Sequence, residues 1–184
     1  MKEDANVILE KIVDRKAVEL SLEKYKRNHT GSVVSIWRQE DWHLFTWLKH
    51  PLVSALEVQC SISIEGDFVR AVWFPHPTLI TSDTKTEFIL FSNEANLELH
   101  SGGRFWCNED FDIAYEIVLK KEMIDSCPEE AAKLLFDIPY AQFQDIHVPL
   151  IMLSDGTWKS DIAIRYISEL RNNGYVDNSD YNLL

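Results

Sequence analysis

Residues 84–122 read TKTEFILFSNEANLELHSGGRFWCNEDFDIAYEIVLKKE, and the fold turns on how this stretch is divided. Thr84-x-x-Glu87 is a capping-box pattern, in which hydroxyl and carboxylate satisfy the first free N–H groups of a helix. Phe88, Phe91, Ala95 and Leu99 then fall on one helical face, and Gly102 supplies a stop. Residues 86–91 alone have strand-like composition, but cap and face together predict a helix. Beyond the glycines, residues 104–107 form a short strand and 108–110 an acidic turn. Phe111, Ile113, Tyr115, Ile117 and Leu119 alternate with Asp112, Ala114, Glu116, Val118 and Lys120, the pattern of a strand with one wet face.

Upstream, Val58, Cys60, Ile62 and Ile64 alternate with Glu57, Gln59, Ser61, Ser63 and Glu65. Gly66-Asp67 makes a turn, residues 68–74 return as a second strand, and Pro75-His76-Pro77 stops it. Residues 4–27 carry apolar side chains near helical spacing, with Lys24, Lys26 and Arg27 in the last turn, and predict an amphipathic helix. Residues 33–37 suggest a short strand. Residues 39–48 bring Trp42, Leu44, Phe45, Trp47 and Leu48 together and fit a short helix ended by Pro51.

Downstream, Ser126-x-x-Glu129 with Pro128 opens another helix, which Pro139 breaks or kinks. A second helical piece follows from 140 until Pro149. Asp155-Gly156 is a turn, and Ser160/Asp161 cap a last helix that ends at Gly174. The tail after Tyr175 is polar, apart from its terminal Leu-Leu, and is expected to fray. The sum is an α+β fold: an antiparallel sheet of about four to five strands with an inserted helix, flanked by N- and C-terminal helices. Residues 1–30, 31–155 and 156–184 are read as helix, core and closing helix of one globular unit.

The chain has 184 residues and a formal net charge of −12. Its 46% hydrophobic content is ample for a core. Residues 1–50 balance nine basic against eight acidic side chains, whereas 51–184 hold nine against twenty-two. An acidic body repels phosphate backbones, so no nucleic-acid partner is expected. Attraction to a basic protein is one reading of the charge, and a soluble bacterial-type surface kept monodisperse by repulsion is the blander one. No apolar run approaches the ~20 residues of a bilayer span. An acidic start replaces the basic one of a signal peptide, so a cytoplasmic chain without membrane contact is expected. Cys60, Cys107 and Cys127 form no CxxC pair and indicate neither a disulfide framework nor a zinc site.

Asn93-x-x-Asn96, Gly103-Arg104-Phe105-Trp106, an acidic turn, Asp112-Ile-Ala-Tyr-Glu-Ile117 and a helix opened by Pro128-Glu-Glu together resemble the YbjN-like group. That group shares the fold of type III secretion chaperones. The resemblance covers roughly residues 55–155, and it implies a protein-binding domain without an assigned catalytic residue. Pro139 and Pro149 depart from the long unbroken final helix that the group implies.

Chemistry-bearing motifs are sparse. There is no phosphate loop and no Gly-x-Ser-x-Gly elbow. His43 and His50 lack acidic or cysteine ligands at metal spacing. His76 sits between prolines, and nothing in the sequence brings His100 to Cys107. Glu109/Asp110 and Glu129/Glu130 serve a turn and a helix start. No catalytic residue, metal or cofactor is expected. The function expected is a non-enzymatic protein-interaction module of secretion-chaperone-like type. The alternative is an acidic immunity- or antitoxin-like protein that occludes a basic toxin. Trp37, Trp42, Phe45, Trp47 and Phe143 are the candidate partner-binding residues. The N-terminal helix and the 160–173 helix are both candidates for a homodimer contact.

Overall fold

A computed structural model describes Val7 and residues 35–38, 42–99, 101–108 and 113–181. The amphipathic helix expected over 4–27 therefore lies outside the described residues, except that Val7 is helical and exposed. His100 and the acidic turn at Glu109/Asp110 lie outside them too.

The described strands are β1 (Ser35–Arg38), β2 (Trp42–His50), β3 (Val53–Glu65), β4 (Phe68–His76), β5 (Arg104–Cys107) and β6 (Ile113–Lys120). They form one sheet in the order β1-β2-β3-β4-β6-β5, antiparallel throughout. Helix α1 (Lys85–Leu99) is inserted between β4 and β5, with Phe88, Phe91, Ala95 and Leu99 buried along one face. After β6 come α2 (Lys121–Ser126), α3 (Pro128–Ala132), a π-helical turn (Lys133–Asp137), α4 (Ile138–Ser154) and α5 (Ser160–Asn173). The α+β architecture with an inserted helix and a closing helix is the one the sequence implies.

One expected helix is a strand. Of residues 39–48, those from Trp42 on lie in β2, whose Trp42, Leu44, Thr46 and Leu48 pair with Ile62, Cys60, Val58 and Leu56, and residues 39–41 lie outside the described residues. A long alternating neighbour settled what the aromatic-rich run left ambiguous, because ladder pairing outweighs local propensity. Pro149 likewise does not end its helix: α4 continues to Ser154, with Pro149 buried inside it. The C-terminal tail does not fray at Tyr175. Tyr181, at the end of a 3-10 turn, is buried between Trp158 and Tyr166 with ring centroids 5.3 and 5.2 Å away.

The turn Gly66-Asp67 joins β3 to β4 with two residues, and Gly66 takes φ +61°, the left-handed value that tight hairpins need. On the core face Val58, Cys60, Ile62, Val69, Ala71, Trp73, Tyr115 and Ile117 are buried. Phe88, Phe91 and Ala95 of α1, Phe143 and Ile146 of α4, and Ala163 and Ile167 of α5 join the same core. The closing helix is thus part of one hydrophobic unit with the sheet. Cys60 is a buried apolar side chain in that core.

Three polar devices fix the sheet to its helices. Pro139 has no N–H for the Leu135 carbonyl one turn earlier, and the π turn spans this gap. The Trp73 indole N–H of β4 donates to that carbonyl at 2.9 Å. Strand β5 is a sheet edge, and its exposed backbone is closed by Asn96 of α1. The Asn96 side-chain amide donates to the Phe105 carbonyl at 2.9 Å and accepts its N–H at 2.6 Å. This one residue stands in for a seventh strand at that position. On the outer face, Glu116 of β6 is held between Arg70 of β4 at 2.6 Å and Arg104 of β5 at 3.0 Å. Burial would raise its carboxyl pKa, but the two guanidiniums outweigh burial and hold it low.

Gly103 is more than a helix stop. A Cβ there would meet the Glu116 carbonyl oxygen and the Tyr115 ring at 2.5 Å, and the Gly103 N–H donates to the Tyr115 hydroxyl at 2.9 Å. At Gly102 the nearest atom to such a Cβ is 3.8 Å away. Gly103→Ala is expected to destabilise by about 1–3 kcal/mol through forced displacement of β5 from β6. Gly102→Ala should stay within about 0.5 kcal/mol of the parent. Urea unfolding of the pair measures both, and equal effects would contradict the close approach.

Candidate protein-binding groove

Of the five residues singled out for partner binding, the structure describes the side chains of two, Phe143 and Trp47. Phe143 is fully buried and packs edge-to-face on Phe105 at 5.7 Å, so it is core, for the reason that α4 turns this side toward the sheet. Trp47 is half-buried and lines a small cavity at the end of β2. Trp37 of β1 is paired with His43, and Trp42 and Phe45 of β2 with Ile62 and Gln59, by backbone register. The side chains of these three lie outside the described residues.

A larger surface feature, which no motif announced, lies between α1 and α5. Helix α5 packs on α1 and α4, and its contact with α1 leaves a groove of about 670 Å³. Leu90, Glu94 and Glu98 line one wall at four-residue spacing, so they stand on one stripe of α1. Asp161, Ile164, Arg165, Ser168 and Glu169 line the other. Leu90 and Ile164 are the large apolar side chains of this lining, and Glu94, Glu98, Asp161 and Glu169 are its acids.

Apolar exposure extends beyond the groove. Ile89, Leu90 and Leu97 of α1 are 39%, 49% and 65% exposed. Three large apolar side chains are thus open to water on one helix, and exposed apolar surface is a mark of contact faces. The charge around it is one-sided. Among the described lining residues, Glu94, Glu98, Asp161 and Glu169 stand with one cation, Arg165, whose guanidinium lies over the Tyr181 ring at 5.2 Å.

The two walls are joined by a side chain that the sequence assigns a different job. In the capping-box reading Glu87 would serve the N-terminus of its own helix. The Thr84 hydroxyl instead accepts the Thr81 N–H at 3.0 Å. The Glu87 carboxylate reaches across to α5, accepting the Ser160 N–H at 2.8 Å and pairing with Lys159 at 3.4 Å. Glu87 thus caps the first turn of a helix more than seventy residues away, where a negative charge also meets the positive end of the dipole. The first turn of α5 has no side-chain cap from its own N-cap residue, Lys159. The C-terminal end is closed conventionally by Gly174 at φ +75°, whose N–H donates to the Leu170 carbonyl. Across α5 and α4, Arg171 pairs with Asp145 at 3.1 Å.

Among the described residues there is no cluster of three His, Cys, Asp or Glu able to hold a metal ion. No helix among them is long and apolar enough to cross a membrane. Cys107 is half-buried beside the Ser92 hydroxyl, and burial pushes its thiol pKa up, away from a nucleophilic thiolate.

The hydrogen bond from the Ser160 backbone, reinforced by Lys159, holds the Glu87 carboxyl below the usual glutamate range. A depressed carboxyl adds stability that is fully present above about pH 4.3, the value in an unfolded chain, and lost as pH falls through the folded value. Glu87→Gln is therefore expected to lower stability by about 1 kcal/mol at neutral pH and to shrink that loss in acid. Denaturant unfolding between neutral and acid pH measures it. Parallel curves for parent and variant would contradict the role given to Glu87.

Family models, curated proteins and solved structures were each compared with the chain, and none of the three gives a match.

Proposed function

We propose that this chain is a non-enzymatic protein-interaction module of secretion-chaperone-like type. Its α1–α5 groove would hold an amphipathic, basic segment of a partner protein. One observation carries the reading: the groove is lined by Leu90, Ile164 and four carboxylates, on a helix that also exposes Ile89 and Leu97. An apolar stripe gives a helix or strand of the partner something to bury, at roughly 25 cal/mol per Å² removed from water. The rim selects cationic flanks and steers their approach. The likeness of Asn93-x-x-Asn96 and residues 103–106 to the YbjN-like group supports the same kind of function. So does the role of Asn96, which blocks the β5 edge from recruiting a strand and leaves the helical face for recognition.

The acidic rim also favours a second reading, an immunity-like protein that occludes a basic toxin. The two differ in which term dominates the affinity. For a module, apolar contacts set the lifetime of the complex; for a toxin antagonist, charge sets the association rate.

The test is comparative capture from the native host by the parent chain and two double variants. Leu90→Ser/Leu97→Ser removes exposed apolar surface, and Glu94→Gln/Glu98→Gln removes rim charge, both at positions without a share in the core. The module reading expects a protein retained by the parent to be lost by about tenfold or more on the leucine pair and only a few-fold on the glutamate pair. The toxin reading expects the reverse, with association that slows steeply as salt is raised. Equal retention by all three chains would remove the groove from either account.

A further inference from the structure

The β2–β3 hairpin turns against α4. His50 of β2 pairs with Val53 of β3, so Pro51 and Leu52 alone make the turn, just past a register shift between Leu48 and His50. Proline has no N–H, which leaves Leu52 with the one backbone donor of these two residues. The His50 side chain takes it: Nδ1 accepts the Leu52 N–H at 3.3 Å. On the other side of the junction His147 of α4 is 2% exposed, and its Nε2 lies 2.8 Å from the Ser54 carbonyl oxygen. A carbonyl only accepts, so the proton of that neutral ring is on Nε2. The two rings meet edge-to-face at 6.2 Å, and both line a cavity of about 280 Å³.

This arrangement depends on both rings being uncharged. A protonated His50 carries hydrogens on both nitrogens and no longer accepts from Leu52, so two donors would point at each other in the turn. Protonating His147 leaves its bond to Ser54 in place but puts a cation in a buried site beside a second ring. Burial pushes the His50 pKa down. Burial does the same to His147, more strongly than the Ser54 carbonyl lifts it, and a charge on His50 pushes it lower still. Lys49 of β2 and Tyr140 of α4 line the same cavity, each with a partner of its own, and Glu57 of β3 lies opposite Trp47. Of these side-chain types, imidazole is the one that ordinarily changes charge between pH 5 and 8.

We propose that the hairpin end and α4 form a proton-operated latch, closed while both imidazoles are neutral and released when they are charged. The release is local. Leu48 and Leu56 are buried in the core just inside the register shift, whereas Lys49, Pro51 and Ser54 beyond it are exposed. Residues 49–54 therefore part from α4 while the ladder from Trp42 to Leu48 stays paired. With both histidine pKa values depressed, the folded chain binds fewer protons than the unfolded one, whose histidines titrate near about pH 6.5. The stability that the latch contributes is fully present above that pH and lost as pH falls through the lower folded values. Mild acid thereby uncovers the side of α4 that carries Tyr140, Gln144 and His147.

The test is NMR of the full chain between pH 8 and pH 5, with the parent and His50→Asn compared. Asparagine offers the Leu52 N–H a side-chain carbonyl, a bond that Asn commonly makes at turns, and it does not titrate. In the parent both imidazoles are expected to titrate below the usual histidine range. The protection of the Leu52 amide against solvent exchange should fall by about tenfold as they do. The Cys60 amide, paired between β2 and β4, should keep its protection. In His50→Asn the Leu52 amide should stay protected down to pH 5, and His147 should titrate at a higher pH than in the parent, because its neighbour's charge is gone. Three outcomes overturn the latch: Leu52 protection unchanged while His50 titrates, Leu52 and Cys60 losing protection together, or His50→Asn keeping the pH dependence.

Discussion

The hydrogen bond from the Trp73 indole to the Leu135 carbonyl is where sheet and helices are locked into one register. A proline four residues on leaves that carbonyl without its helical donor, and a buried unpaired carbonyl would cost about 1–3 kcal/mol. The central strand β4 supplies the donor from a tryptophan buried in the core. Once Trp73 is seated there, with Phe136 edge-to-face at 6.4 Å, the direction of α4 across β2 and β3 is set. The position of α5 follows, because α5 rests on α4 and α1. The groove and the histidine cavity are both consequences. One lies between α1 and α5, the other between α4 and the end of β2.

Much of this was legible in the chain. Strand β3 declares itself by strict alternation, because one face is core and the other is wet. Helix α1 was readable from Phe88, Phe91, Ala95 and Leu99 on one face, all of them buried. Gly174 and Pro128 mark helix ends where expected. Strand β2 was not legible, since Phe45 and Trp47 place large apolar groups at the positions where alternation calls for polar ones. A run with that composition satisfies a helical period as readily as a strand period, and only pairing with β3 decides. Pro149 misled for a related reason: the buried neighbours Ile146, Val148, Leu150 and Leu153 hold the helix together across the missing hydrogen bond.

The candidate site was less legible than the fold, and the cause is geometric. Glu87 and Ser160, Leu90 and Ile164, His50 and His147 are each separated by seventy residues or more. No spacing rule joins such pairs; the packing of α5 and α4 does. Even the capping box, a local pattern, was taken over by a distant helix that needed a carboxylate more. Of the aromatic residues singled out, Phe143 fills the core, while Ile89, Leu90 and Leu97 of α1 are among the large apolar side chains open to water. Single leucines in an otherwise ordinary helix carry no sequence signal of exposure.

The central claim is that the exposed face of α1 is a contact surface. The most direct measurement places a photo-crosslinking amino acid in the chain in its native host. One variant carries it at Leu90, a second at Leu97, and a third at Val118, which is equally exposed on the outer face of the sheet. The account predicts one discrete protein adduct shared by the two helix positions and none at Val118. An adduct at Val118 alone, or no adduct at either leucine, would contradict it.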